Sequence, residues 1–136
     1  MTRVLLAGSG ALLGVIGGAM LTSTQAFLQT SGVEISSDPS LLSELKAPSV
    51  LLIVAAMVMI AGSARTRFAN TALILGGVVY GSYGLARLLG MAMNGMPSDP
   101  LIVATAIELA LSALLLGRRL YAATPAQSSR LQAQHV

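Results

Sequence analysis

Four long apolar stretches, nearly free of charged side chains, take up most of this 136-residue chain. The first has eighteen uncharged residues from Val4 to Leu21, and the third has nineteen from Phe68 to Ala86. A helix needs about 20 apolar residues to cross the hydrocarbon core of a bilayer, where the backbone must satisfy its own hydrogen bonds. The sequence therefore predicts an all-α fold of membrane-spanning helices.

The composition agrees with a location in lipid. Charged residues make up 10% of the chain, whereas soluble domains carry roughly 25%. The net charge of +3 does not indicate a nucleic-acid partner, because the basic residues are dispersed at the ends of the apolar stretches. The absence of cysteine excludes thiol redox chemistry, and the lone His135 is too near the chain end to hold haem within a bilayer. We predict no cofactor.

Polar breaks divide the chain into four predicted spans. They form a membrane domain over residues 1–119, and residues 120–136, rich in Ala, Gln and Ser, predict a disordered cytoplasmic tail. Asp38 and Pro39 are typical of a helix start, as a capping carboxylate and a first-turn proline. For the first stretch a cleaved signal peptide with Arg3 as its basic region is the alternative, although the apolar run is long for one. The predicted spans are residues 4–27, 41–64, 68–93 and 101–117.

The basic residues predict the orientation of these spans. Six arginines fall at one end of the predicted bundle, and Lys46 alone falls at the other. Cytoplasmic segments of membrane proteins carry an excess of basic residues. We therefore predict a four-helix transmembrane bundle of two antiparallel helical hairpins, with both termini in the cytoplasm. The six arginines are Arg3, Arg65, Arg67, Arg118, Arg119 and Arg130.

Two charges interrupt the apolar stretches, Arg87 in the third and Glu108 in the fourth. Counted from the turn between these spans, Arg87 lies roughly 9 Å and Glu108 roughly 10 Å along its helix, so the two share a depth. We expect them to pair, because either charge alone in lipid is costly. Tyr80 and Tyr83 share a helical face with Arg87, and Glu44 is a possible second acceptor for it. These five residues form the predicted polar cluster.

Glycines recur at spacings of three and four residues in the first and third spans. Small residues on one helix face allow a neighbouring membrane helix to approach closely. We therefore predict that these faces pack against other helices. The residues concerned are Gly10, Gly14, Gly18, Gly77, Gly81 and Gly84.

Several short motifs resemble a known family. Ser-Glu-Leu-Lys-Ala (43–47) begins the second span, Gly-Leu-Ala-Arg (84–87) lies late in the third, and Ala-Ile-Glu-Leu (106–109) lies in the fourth. Together they resemble a family of small four-helix bacterial membrane proteins known only as domain of unknown function 4345, over about residues 4–119. The resemblance implies a bacterial inner (plasma) membrane location and implies no activity. It puts Glu44, Arg87 and Glu108 at the charged positions that recur in the family.

The residues predict neither a catalytic centre nor a metal site, because no nucleophile–base pair or cluster of metal ligands occurs. We predict a non-enzymatic accessory or interaction subunit, whose partners are membrane lipid and another membrane subunit or a second copy of the chain. The alternative is an outward-facing protein that binds a small ligand or lipid headgroup, or a transporter subunit. A dry, fully packed pair of Arg87 and Glu108 favours the first hypothesis, and a cavity ending at Arg87 favours the second.

Overall fold

The computed structural model describes the backbone of residues 1–133 and the side chains of residues 1–121. Every regular element in that part of the chain is a helix, which confirms the predicted all-α class. Four of the helices are long and apolar enough to cross a membrane. The helices are α1 (Thr2–Thr22), α2 (Thr24–Gln29), α3 (Pro39–Ala64), α4 (Thr66–Asn94) and α5 (Asp99–Ala133).

The first predicted span, residues 4–27, is interrupted at Ser23. This residue has φ −138° and ψ 51°, outside the helical region. The threonine hydroxyls on either side bond to backbone oxygens, Thr22 Oγ1 to Gly18 O at 2.8 Å and Thr24 Oγ1 to Met20 O at 2.6 Å. Such side-chain bonds compete with the helical ladder and bend helices. The apolar residues beyond the break therefore form a separate short helix, α2.

A glycine turn ends α2. Gly32 has φ 73°, its N–H donates to Gln29 O at 2.9 Å, and Val33 N–H donates to Leu28 O at 3.1 Å. This is the Schellman pattern of hydrogen bonds, and it favours glycine at the left-handed position. The turn reverses the chain so that it stays at the end of the bundle and leads into α3.

Asp38 caps α3 as the sequence predicts. Its Oδ1 accepts a hydrogen bond from Leu41 N–H at 2.9 Å, and Pro39 occupies the first helical position. The helix continues through Pro48 to Ala64.

The last helix, α5, continues to Ala133, past the predicted end of the fourth span at Gly117. Residues 134–136, and all side chains beyond residue 121, lie outside the described part of the chain. The predicted disorder of residues 120–136 stays a prediction.

Glycines of α1 lie directly against α3. A Cβ added to Gly10 would lie 3.0 Å from Met59 Cβ, and one added to Gly17 would lie 2.9 Å from the backbone oxygen of Ser49, so the two helices run antiparallel. Gly18, predicted to pack, would have no atom within 4 Å of its Cβ. At about 3.6 residues per turn, the seventh residue after Gly10 returns to its face and the eighth does not. The glycines that face α3 are Gly10, Gly14 and Gly17.

Glycines of α4 bring it equally close to α5. A Cβ added to Gly81 would lie 2.7 Å from Ser112 Oγ, and one added to Gly84 would lie 2.7 Å from Leu109 Cδ2. Ser112 Oγ also donates to the backbone oxygen of Gly77 at 2.8 Å. These contacts run antiparallel along the two helices, and they leave no room for larger side chains on this face of α4.

The four long helices do not pack equally on one another. α3 packs on both α1 and α4, and α4 packs on α5, whereas α1 and α5 meet only sparsely. The side of the bundle between α1 and α5 is therefore its most open side. The buried core consists of Leu6, Leu13, Leu52, Ala55, Ala56, Met59, Ala72, Leu73, Tyr80 and Leu115.

Candidate functional site

Arg87 on α4 and Glu108 on α5 form an ion pair. Arg87 Nε donates to both carboxylate oxygens, to Oε1 at 3.3 Å and to Oε2 at 3.1 Å. The side chain of Glu108 is 14% exposed and that of Arg87 is 33% exposed, so the carboxylate is the more enclosed group. Nη1 and Nη2 of Arg87 have no acceptor among the described residues. A guanidinium has five N–H donors, four of them on these two nitrogens, so most of its donors remain available.

A cavity of about 280 Å³, which we call the inner cavity, lies beside the ion pair. Tyr80, Tyr83, Arg87 and Glu108 form its polar wall, and Ser31 together with apolar residues from all five helices or their connections forms the rest. Ligand pockets span about 300–1,000 Å³, so this volume suits a small molecule or one end of a longer one. The apolar walls come from Leu13, Ile16, Met20, Phe27, Leu28, Val33, Leu52, Val79, Leu101 and Ala104.

The two tyrosines of this wall differ in their hydrogen bonds. Tyr80 is 2% exposed, and its hydroxyl donates to Ser9 O on α1 at 2.6 Å, which fixes it between α4 and α1. Tyr83 is half-buried, and its hydroxyl has no partner in the part of the chain whose side chains are described. The Tyr83 and Ser31 hydroxyls and the two Nη groups of Arg87 are therefore polar groups that a guest in the cavity can engage.

Glu44 lies apart from this cluster, although the sequence allowed it as a possible second acceptor for Arg87. It is exposed on α3, and the ion pair of Arg87 within the described residues is with Glu108. Glu44 lies five residues before the buried Ser49. At about 3.6 residues per turn, this spacing puts the two side chains on different faces of α3.

Arg87 also lines a second cavity, of about 210 Å³, beneath the α4–α5 turn. This space lies against Asn94, Pro97 and Thr105, and Leu101 lines both cavities. The side chains of Arg87 and Leu101 therefore separate the inner cavity from the space beneath the turn.

The residues that close the inner cavity were not predicted from the sequence. Phe27 and Leu28 on α2 and Val33 after it line that cavity, and Ser98 Oγ, just before α5, donates to Ser31 O at 2.5 Å and holds the turn in place. The sequence feature that could have indicated the break between α1 and α2 is the run of hydroxyl residues 22–24, whose side chains compete with backbone N–H groups for backbone oxygens.

Side chains that could bind a metal ion are not clustered in the described part of the chain. No group of three His, Cys, Asp or Glu residues lies close enough to hold an ion within the described residues. The chemistry available at the cavity is hydrogen bonding and charge, supplied by Arg87, Glu108 and Tyr83 beside apolar walls.

Comparison with known proteins gives a family without an assigned activity. A family model described as a domain of unknown function (DUF4345) matches residues 1–117. No curated protein and no solved structure matches the chain. The matched region contains every residue that lines the inner cavity. The motif resemblance is thereby confirmed, and the chain belongs to the DUF4345 family.

Proposed function

We propose that this protein binds a small amphiphilic molecule in the inner cavity, within the outward half of a membrane-spanning bundle. The observation that carries the proposal is the cavity of about 280 Å³ lined by Arg87, whose terminal N–H groups have no acceptor among the described residues. Mostly apolar walls with a few convergent polar groups are typical of small-molecule sites.

The charges of the wall favour a neutral ligand with oxygen acceptors. Arg87 is already paired with Glu108, so the two charges of the wall sum to zero. An anionic group next to Arg87 would also lie next to the Glu108 carboxylate, and like charges brought together out of water are costly. A carbonyl or hydroxyl oxygen can accept from Arg87 Nη and Tyr83 without that repulsion. The ligand class is therefore a neutral, largely apolar molecule bearing such oxygens.

The accessory-subunit hypothesis rested on the glycine spacing and on the lack of catalytic groups in the sequence. Most of those glycines face helices of the same chain: Gly10 and Gly14 face α3, and Gly77, Gly81 and Gly84 face α5. A glycine face occupied within the chain is not free to pack against another subunit. An accessory role stays a prediction to which no surface is assigned.

To identify the ligand, the protein is purified from its own membrane in mild detergent and examined by native mass spectrometry. We expect a small-molecule adduct on the wild type and its loss in Ala104→Phe, because Ala104 lines the cavity and the larger ring fills it. Tyr83→Phe should retain about one-fifth of the adduct, because the loss of one hydrogen bond weakens binding about fivefold.

Ala106→Phe is the matched control, since Ala106 is exposed two residues further along α5. It should keep the full adduct. An adduct that survives in Ala104→Phe, or wild-type protein that carries only a second protein subunit, would contradict the binding function.

We further propose that the bundle is two antiparallel hairpins with both termini in the cytoplasm of a bacterial inner membrane. In support, Arg118 Nε on α5 donates to Thr2 Oγ1 on α1 at 3.0 Å, so the start of α1 and the Arg118 turn of α5 share one end of the bundle. One cavity is lined by Arg3 near the start of α1, by Thr66 at the junction of α3 and α4, and by Arg118. Basic residues gathered at one end are what cytoplasmic exposure predicts.

A reporter enzyme that is active only outside the cytoplasm tests this topology. Fused after Arg119 it should be silent, and inserted after Ser36 in the α2–α3 connection it should be active. Activity after Arg119 would reverse the orientation, and activity at neither position would contradict the four-span arrangement.

A further inference from the structure

We propose a second site, at the end of the bundle opposite the inner cavity: a groove that binds the phosphate and one acyl chain of an anionic phospholipid. Two adjoining cavities form it: one of about 440 Å³ that contains two arginines, called the polar cavity, and one largely apolar of about 600 Å³, called the apolar cavity. Met1 and Arg118 line both cavities, and Arg118 is the charged side chain that they share.

The polar cavity has the side chains that bind phosphate. Arg3 and Arg118 line it together with Thr66 and Asn70. Arg118 is oriented by the hydrogen bond from its Nε to Thr2 Oγ1 at 3.0 Å, which leaves its terminal N–H groups without an acceptor in the described part of the chain. A guanidinium binds phosphate oxygens through two parallel hydrogen bonds, so a fixed Arg118 is suited to this group.

No carboxylate competes for these arginines among the residues whose side chains are described. Four of the five acidic residues lie in or beside the loops at the other end of the bundle, and the fifth, Glu108, is paired with Arg87. Arg65, Arg67 and Arg119 lie at the same end as Arg118 and add to its positive potential. An anion is therefore the complementary ligand, in contrast to the neutral guest of the inner cavity.

The apolar cavity distinguishes a lipid from a soluble phosphate. It lies on the open side of the bundle between α1 and α5, and its lining includes Leu5 of α1 and Ala113, Leu114 and Gly117 of α5. A Cβ on Gly117 would meet no atom within 4 Å, so the groove has free width at this point. An apolar groove that continues from a phosphate cavity matches the covalent order of a phospholipid, with the headgroup at the basic end of the helices.

The first test compares two double variants with equal net charge in nanodiscs of phosphatidylcholine containing added phosphatidylglycerol. Arg3→Gln with Arg118→Gln removes the cavity arginines, whereas Arg65→Gln with Arg67→Gln removes two exposed arginines that do not line it. Native mass spectrometry should find phosphatidylglycerol bound about tenfold more weakly by the cavity variant than by the surface variant. Equal weakening in both variants would mean attraction by net charge alone and would overturn the site.

The second test leaves every charge and the Arg118–Thr2 bond in place. Gly117→Leu fills the apolar groove and should release the bound phosphatidylglycerol, while Gly8→Leu, at another glycine with no atom within 4 Å of its Cβ, should retain it. Inorganic phosphate added to discs of phosphatidylcholine alone should not raise the melting temperature. Retention of the lipid by Gly117→Leu, or stabilisation by inorganic phosphate equal to that by the lipid, would overturn the proposal.

Discussion

Replacing Arg87 by methionine is expected to lower the free energy of unfolding in detergent by about 2–3 kcal/mol. The substitution leaves the carboxylate of Glu108, which is 14% exposed, without the guanidinium that now bonds both of its oxygens. An unpaired charge in an apolar site must either remain uncompensated or take up a proton, and both cost stability. Denaturant unfolding in a fixed detergent, followed by circular dichroism, measures the loss.

A double-mutant cycle separates the ion pair from the other contacts of Arg87. Arg87→Met combined with Glu108→Gln should recover part of the loss, because no charge is then left without a partner. Arg67→Met is the matched control: Arg67 is exposed, its guanidinium lies over the Phe68 ring at 4.6 Å, and its replacement should change stability by less than about 0.5 kcal/mol. Independent, additive losses from the Arg87 and Glu108 substitutions would contradict the coupling.

Counting along helices predicted that Arg87 and Glu108 share a depth, because helical rise is nearly constant. Depth in the bundle follows from that count once the turn between two helices is located, and the two side chains are in contact in the structure. The same count could not place Glu44. Pairing also depends on how α3 is rotated about its axis, and the five-residue spacing puts Glu44 on a different face from the buried Ser49. Rotation is set by tertiary packing, which a single apolar sequence leaves undetermined.

The apolar walls of the inner cavity could not be predicted from the sequence for a related reason. Residues 22–33 are uncharged, so composition did not distinguish a span that continues from one that turns at Ser23. The cavity exists because α2 turns inward and because α1 and α5 meet only sparsely. Both are properties of how helices pack, and all four long helices are apolar enough that many pairings would bury similar surface. The glycine contacts select among those pairings, since backbones approach closely only where side chains are absent.

Gly17 and Gly18 provide the sharpest test of that selection, because the same methyl group is added at adjacent positions. Gly17→Ala places a Cβ 2.9 Å from Ser49 O and 3.0 Å from Leu52 Cβ, so α1 and α3 must separate. Overpacking of this kind costs about 1–3 kcal/mol. Gly18→Ala meets no atom within 4 Å, and it should gain about 0.5–1 kcal/mol from the better helix propensity of alanine.

The measured quantity is the difference in unfolding free energy between these two variants in the same detergent. We expect Gly18→Ala to be the more stable by about 2–3 kcal/mol, from the steric cost at one position and the propensity gain at the other. The reverse order would mean that α1 is rotated so that its glycines at spacings of four, Gly10, Gly14 and Gly18, face α3. Such a rotation would also move Leu13 and Ile16, which line the inner cavity. This pair of substitutions therefore tests the wall of the proposed binding site as well as the packing of the helices.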